Sequence, residues 1–241
     1  MDNASHKRSK DENGVVVDQS MYISMIGSLL YLTVSRPDIT FAVGVCARYQ
    51  DEPKMSHLTQ VKRILKYIND TSDYGNLYSH SKNSKLIGYC DADWGGSADD
   101  KKNISGGCFF LGNNLVSWFS KKQNFVSLLT AEAEYIADGS TCSELVWMKQ
   151  MLEEYDVKQG VLTLYCDNLS VINISKNPIQ HRRTKNIDIH HFIRDLVEEK
   201  VVTLEHVATE EQLADIFTKA LDVKQFEKLK SKLGIFLHEE L

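Results

Sequence analysis

Two short stretches decide how this chain folds: Leu86-Ile87-Gly88-Tyr89-Cys90-Asp91 and Leu162-Thr163-Leu164-Tyr165-Cys166-Asp167. Each is an apolar run of strand length that closes on an aspartate. Burying a charge without a partner is unfavourable, so an acid at the end of a buried strand is costly alone. Two such strands, each delivering one, point to a shared cation. Two further acids fit the same reading. Glu134 lies in the first turns of a long amphipathic stretch. Asp215 lies in the segment opened by Thr209-Glu210-Glu211-Gln212, which reads as a capping box starting a helix.

Outward from the first stretch, Gly106-Gly107-Cys108-Phe109-Phe110-Leu111 and Leu115-Val116-Ser117-Trp118-Phe119 flank Gly112-Asn113-Asn114 and predict a hairpin. A helix follows over 130–155, with Ile136, Ala137, Ser140, Trp147, Met148, Met151 and Tyr155 near one face. After the second stretch come a short helix through Leu169, Val171 and Ile172, and another carrying Ile189, Phe192, Ile193, Leu196 and Val197. The run Val201-Val202-Thr203-Leu204-Glu205 is a fifth strand. Upstream, three helices are expected: over 21–32, after Arg36-Pro37-Asp38, and from Ser56 with Leu58, Val61, Ile64, Leu65 and Ile68 on one face. The class is α/β, a five-stranded mixed sheet with helices on its faces, preceded by a small helical segment. The expected organisation is a disordered tail over 1–17, a helical segment over 18–80, the α/β domain over 85–222 and a helical tail over 223–241.

Composition is that of a globular protein, with 42% hydrophobic and 25% charged residues. No apolar run is long enough to cross a bilayer, and the polar start lacks the apolar core of a signal peptide. Five cysteines without a CxxC pair read as reduced thiols of an intracellular protein, cytoplasmic or nuclear, with no disulfide framework and no zinc. The formal net charge of −5 means that contact with nucleic acid must come from local basic patches. The densest is His181-Arg182-Arg183-Thr184-Lys185, with Lys121-Lys122 second; each also reads as a solvated loop.

The order of elements resembles the ribonuclease H fold, and four blocks narrow the resemblance to the copia type of long-terminal-repeat retrotransposon polyprotein. They are Tyr89-Cys90-Asp91-Ala92-Asp93-Trp94, Thr130-Ala131-Glu132-Ala133-Glu134-Tyr135, Tyr165-Cys166-Asp167-Asn168 and Gln212-Leu213-Ala214-Asp215. Met25-Ile26-Gly27-Ser28-Leu29-Leu30-Tyr31-Leu32 and Ser35-Arg36-Pro37-Asp38-Ile39 resemble the segment after that family's polymerase palm, so 18–80 resembles a reverse transcriptase thumb and connection. The resemblance implies metal-dependent endonucleolytic hydrolysis of the RNA strand of an RNA–DNA hybrid during reverse transcription. It implies two Mg²⁺ ions, with Mn²⁺ as a substitute, roughly 3.5–4 Å apart. Asp91, Glu134, Asp167 and Asp215 are the implied ligands and catalytic residues. Implied substrate contacts are Asn168, His181, Arg182, Arg183, Lys185, Lys121 and Lys122. The implied partners are the hybrid and the rest of a reverse transcriptase; polymerase activity is not expected, because the palm's own aspartates are missing.

Spacing alone leaves choices open. Asp91 and Asp93 lie two apart and share a strand face, and Glu132 and Glu134 flank the apolar helix face about equally. The family pattern selects Asp91 and Glu134, leaving Asp93, Glu132 and His206 as auxiliary candidates. Asp167 also reads as a helix N-cap for Leu169 onward, and Asp215 as a solvated helix residue. Several positions depart from the family pattern. Lys101-Lys102-Asn103-Ile104-Ser105 stands for Arg-Lys-Ser-Thr-Ser, Leu129 and Asn186 replace a serine and a histidine, and one residue is missing between Ile189 and His190. These support a second reading, a catalytically dead retrotransposon remnant that folds and at most binds nucleic acid.

Overall fold

The fold is read from a computed structural model. It describes residues 10–80, 83–93, 101–124, 126–127, 129–176 and 189–237, with 189–191 by backbone alone. The chain opens with α1 (Gln19–Leu32), a 3₁₀ turn at Pro37–Ile39, α2 (Thr40–Ala47) and α3 (Met55–Asp70). Tyr22, Ile26 and Leu29 recur on one side of α1 and pack on Ile39, Val43 and Cys46 and on Leu58, Val61 and Ile64 of α3. The Arg36-Pro37-Asp38 motif locks this bundle. The Arg36 guanidinium donates to both oxygens of buried Asp38, at 2.9 and 2.7 Å, and Tyr67 donates to the same carboxylate at 2.8 Å. Arg36 also reaches Thr71 Oγ1 at the end of α3, at 2.8 Å. Residues 10–17, expected in a disordered tail, run along the start of α3: Val16 bridges Lys54, and Met55 N–H donates to Val15 C=O at 2.8 Å.

The main sheet comprises β2 (Leu86–Asp93), β3 (Ile104–Leu111), β4 (Asn114–Lys122), β5 (Leu162–Cys166) and β6 (Val202–His206), in the order β4-β3-β2-β5-β6. The hairpin β3–β4 turns at Gly112, whose φ of +63° suits a residue without a side chain. Central β2 runs antiparallel to β3 and parallel to β5, and β5 is parallel to β6. The parallel pairs need crossovers, which are α4 (Thr130–Glu154) and the pair α5 (Leu169–Lys176) and α6 (Ile189–Glu198). One core, with Leu86, Cys90, Tyr135, Leu145, Leu164 and Leu204, lies between the sheet and α4. A second, with Cys108, Phe110, Leu213, Phe217, Leu229 and Leu233, covers the other face. This is the five-stranded mixed sheet of the ribonuclease H-like α/β fold.

Two further expectations change. The segment after Thr209 is not one helix but two 3₁₀ turns, Thr209–Glu211 and Leu213–Phe217. Gln212 sits between them with ψ of 105°, because its side chain is committed elsewhere: it accepts from Ala214 N–H and donates to the Cys90 carbonyl at 2.8 Å. The C-terminal stretch is not purely helical either. After α7 (Val223–Lys232), β7 (Ile235–Leu237) pairs antiparallel with β1 (Tyr74–Asn76). The end of the described chain thereby clasps the end of the helical segment, with the Lys230 ammonium 4.3 Å from the centre of the Tyr74 ring. Trp118 adds a tie from β4, donating to Thr33 C=O at 3.0 Å.

Asp38→Ala leaves Arg36 half-buried without its partner. It is expected to destabilise the folded chain by about 3–5 kcal/mol, read as a shift in urea midpoint at unchanged slope.

Candidate active site

Strands β2 and β5 stay in register only as far as Tyr89 opposite Tyr165, and then part. The buried Gln212 amide fills the fork, at 2.8 Å from Cys90 C=O and 3.5 Å from Tyr165 C=O. Just beyond it lie Asp91 and Asp167, at the carboxyl ends of adjacent parallel strands, where open α/β sheets form their crevices. Glu134 comes in from the first turns of α4 and accepts from Ala92 N–H at 3.1 Å. The carboxylates of Asp91, Glu134 and Asp167 each offer an oxygen within 4.8 Å of the others.

The 3₁₀ segment supplies the far wall. It rests directly on β3 at Gly106, which is paired with Asp91; a Cβ there would lie 2.6 Å from Thr218 Cγ2 and 2.8 Å from Phe217 Cβ. That close approach brings the Thr218 hydroxyl to donate a very short hydrogen bond to Asp91 Oδ2. It also brings Lys219, whose ammonium lies 2.9 Å from Asp215 Oδ1 and 3.7 Å from Asp91 Oδ2. Thr209 donates to Asp167 Oδ2 at 3.1 Å.

Burial dominates the electrostatics. It raises the Asp91 carboxyl above its ordinary range, against the opposing pull of Lys219 and the Thr218 hydrogen bond. Burial, then the charges of Asp91, Asp138 and Asp167, pushes Glu134 up to about 10. Asp215 rises to about 7, by burial and then by Asp91, with Lys219 opposing. Burial alone would lower Lys219, but Asp91 and Asp215 outweigh it and hold the ammonium above its usual range. A hard oxygen donor set of this kind fits Mg²⁺ or Mn²⁺ and suits neither copper nor an iron–sulfur cluster.

Asp91, Glu134 and Asp167 are thus brought together, with Asp215 joined to them through Lys219. Asp93 is half-buried at the end of β2, close enough for its charge to raise Asp91 but outside the three-acid set, and half-buried Glu132 is outside it too. Asn168, not Asp167, caps α5: its Oδ1 accepts from Ser170 N–H at 3.0 Å and Val171 N–H at 3.4 Å. His206 ends β6 opposite Cys166, exposed, one strand from Asp167. Lys121 faces Ser105, which faces Ala92, so the Lys121–Lys122 end of β4 lies two strands, about 10 Å, from the acids. His181, Arg182, Arg183 and Lys185 lie outside the described residues, as does Asn186. Sequence reasoning missed Gln212 as a strand-fork wedge and missed Thr218 and Lys219 altogether. The four-residue spacing of Asp215 and Lys219 was a usable signal for the last.

No protein-family model matches the chain. It is 39% identical over 217 residues to the retrovirus-related Pol polyprotein from transposon TNT 1-94 of Nicotiana tabacum, covering 89% of this chain and 16% of that polyprotein. It is 37% identical over 222 residues to the Pol polyprotein from transposon RE1 of Arabidopsis thaliana, covering 91% of this chain and 15% of the relative. Among solved structures, the foamy viral protease-reverse transcriptase in complex with RNA/DNA hybrid overlaps 88% of this chain and 28% of its own, at 13% identity and a TM-score of 0.49. So partial an overlap adds nothing to the fold, which stands on the strand order. The chain belongs to the retrovirus-related Pol polyproteins of transposons. It spans about one sixth of the length of the curated relatives it matches.

Raised carboxylate pKa values mean that the folded, metal-free protein keeps protons that the unfolded chain releases near pH 4. Their stabilising contribution is full below that pH and is lost as pH rises through about 7 for Asp215 and towards about 10 for Glu134. A divalent ion binds the deprotonated acids, so its apparent affinity rises about tenfold per pH unit for each proton displaced. The expected result is a Mn²⁺-induced rise in Tm that is clearly larger at pH 8 than at pH 6; an equal or smaller rise at pH 8 contradicts the pocket described.

Proposed function

We propose that the chain is the ribonuclease H module of a retrotransposon Pol polyprotein, hydrolysing the RNA strand of RNA–DNA hybrids with a divalent metal ion. The single observation that carries this reading is the meeting of Asp91, Glu134 and Asp167 within 4.8 Å at the fork of two parallel strands. Asp91, Glu134 and Asp167 would hold the ion, with Asp215 beside them. Mg²⁺ or Mn²⁺, when bound, supplies Lewis acidity toward the scissile phosphate, its attacking water and its leaving oxygen.

The chain's own groups do the positioning. Thr218 fixes one Asp91 oxygen, Ala92 N–H fixes Glu134, and Thr209 fixes Asp167, so each acid keeps oxygens aimed by a hydrogen bond from the fold. Lys219 already bridges Asp91 and Asp215, so a second ion shared by those two acids must compete with its ammonium. Lys121 and Lys122, two strands from the acids, would meet backbone phosphate beside the cleft, a contact indifferent to base sequence. Selection of the RNA strand rests on its 2′-hydroxyl and on the minor-groove shape of the hybrid.

The test is cleavage of a labelled RNA–DNA hybrid by the purified chain in Mg²⁺ and in Mn²⁺. Cleavage confined to the RNA strand is expected, with loss of more than about 100-fold in Asp91→Asn and in Asp167→Asn, because even a group that only orients a metal ligand is commonly worth 10–100-fold. Hybrid bound but uncut in either metal would establish the catalytically dead alternative. Lys219→Met removes a positive charge between two acids. It is expected to tighten Mn²⁺ binding by on the order of tenfold, read from the free-ion paramagnetic resonance signal.

A further inference from the structure

Behind the acids lies a second, chemically different cluster that the nuclease reading does not use. Cys90, Asp138 and Cys166 are each 0% exposed, and their Sγ and carboxylate atoms lie within 4.8 Å of one another. Each is a fixed step from an acid of the site. Cys90 precedes Asp91 on β2, Cys166 precedes Asp167 on β5, and Asp138 follows Glu134 by one turn of α4. Side chains alternate along a strand, so Cys90 and Cys166 enter the core under α4 while Asp91 points the opposite way, towards Thr218.

The carboxylate of Asp138 is only half satisfied. Its Oδ1 accepts from Cys90 Sγ at 2.6 Å, whereas the fully buried Oδ2 has no hydrogen-bond partner among the described residues. Such an oxygen in an apolar core costs about 1–3 kcal/mol when nothing meets it. Cys142, buried one turn beyond Asp138 on α4, is close enough to Asp138 and Cys166 for their charges to act on its thiol. Two sulfurs and one carboxylate oxygen around one point form a borderline-soft donor set, unlike the all-oxygen set on the other side of the strands. Around a tetrahedral zinc ion such donors would sit about 3.5–3.8 Å apart, so the 2.6 Å contact of Cys90 Sγ with Asp138 Oδ1 would open as the ion replaces the thiol proton.

We propose that Cys90, Cys166 and Asp138 bind one divalent ion of the zinc class, at a site distinct from the magnesium-type site. The two thiols lose their protons to solvent as the two metal–sulfur bonds form. Because the ion joins β2, β5 and α4, it fixes the relative placement of the three elements that carry Asp91, Asp167 and Glu134. The absence of a CxxC spacing hides such a site in the sequence, since the two cysteines come from separate strands.

Cobalt(II) reports on it directly, because thiolate ligands give an intense near-ultraviolet charge-transfer band that oxygen ligands do not. The full chain, kept in excess Mg²⁺ to fill the acid site, is titrated with Co²⁺. One equivalent is expected to bind with that band, which is lost in Cys90→Ser and in Cys166→Ser and retained in Cys108→Ser and Asp91→Asn. Asp138→Asn, nearly equal in volume, keeps the band but weakens Co²⁺ binding at least tenfold. Circular dichroism checks each variant; should a serine variant fail to fold, the Asp138→Asn affinity decides. A folded wild-type chain that shows no thiolate band, a band surviving loss of both cysteines, or unchanged affinity in Asp138→Asn overturns the proposal. Hybrid cleavage enters none of these readouts, so the site stands or falls apart from the nuclease reading.

Discussion

Buried Asp91 and Glu134 crowd against half-buried Asp167, with buried Asp215 beside them, so charge in this space needs a counter-charge. For the three within 4.8 Å, each pair of full charges repels by roughly 3–4 kcal/mol at an effective dielectric of about 20. Three such pairs amount to about 10 kcal/mol, as large as the whole stability of an ordinary domain. Two devices ease that repulsion without metal: raised pKa values favour the protonated forms of Asp91, Glu134 and Asp215, and Lys219 sits between Asp91 and Asp215. Under the proposed function, both devices would give way to a bound divalent cation, which would complete the arrangement.

The surrounding structure serves that crowding. Strands β2 and β5 must part to make room, and the Gln212 amide fills the gap by satisfying carbonyls that the ladder has left behind. Gly106 must lack a side chain so that the 3₁₀ segment can reach Asp91. At the other edge, Gln123 donates to Ser105 Oγ at 2.9 Å and Ala133 C=O at 2.8 Å and accepts from Asn103, tying the strand ends to the start of α4. Asn103 is one of the departures from the family pattern, yet its side chain is buried and paired. Leu129 is a departure of the other kind: at the N-cap of α4 it is 64% exposed and offers the helix no hydrogen bond, where serine would.

Much of this was legible in the sequence where a local rule and the global fold agree. The two apolar runs ending in aspartate, the hairpin and the long helix all follow from periodicity and turn chemistry. Choosing Asp91 over Asp93 and Glu134 over Glu132 needed the family pattern, because helix and strand geometry treat each pair alike until the neighbouring strand and segment are in place. What could not be read was decided by contacts between distant residues. Gln212 looked like the end of a capping box, but its side chain is drawn to Cys90, and the helix gives way to two turns. Lys219 was not singled out, because only the close approach over Gly106 sets its ammonium between two acids. Cys90 and Cys166 looked like inert thiols, because only the parallel pairing of β2 with β5 makes them neighbours.

The most direct measurement is a crystal structure of the chain grown in Mn²⁺, with anomalous difference density recorded near the manganese edge. The account predicts a strong peak between the carboxylates of Asp91, Glu134 and Asp167, with Thr218 still on Asp91. Ordered carboxylates lying apart with no peak among them, or a peak only elsewhere on the molecule, would contradict it.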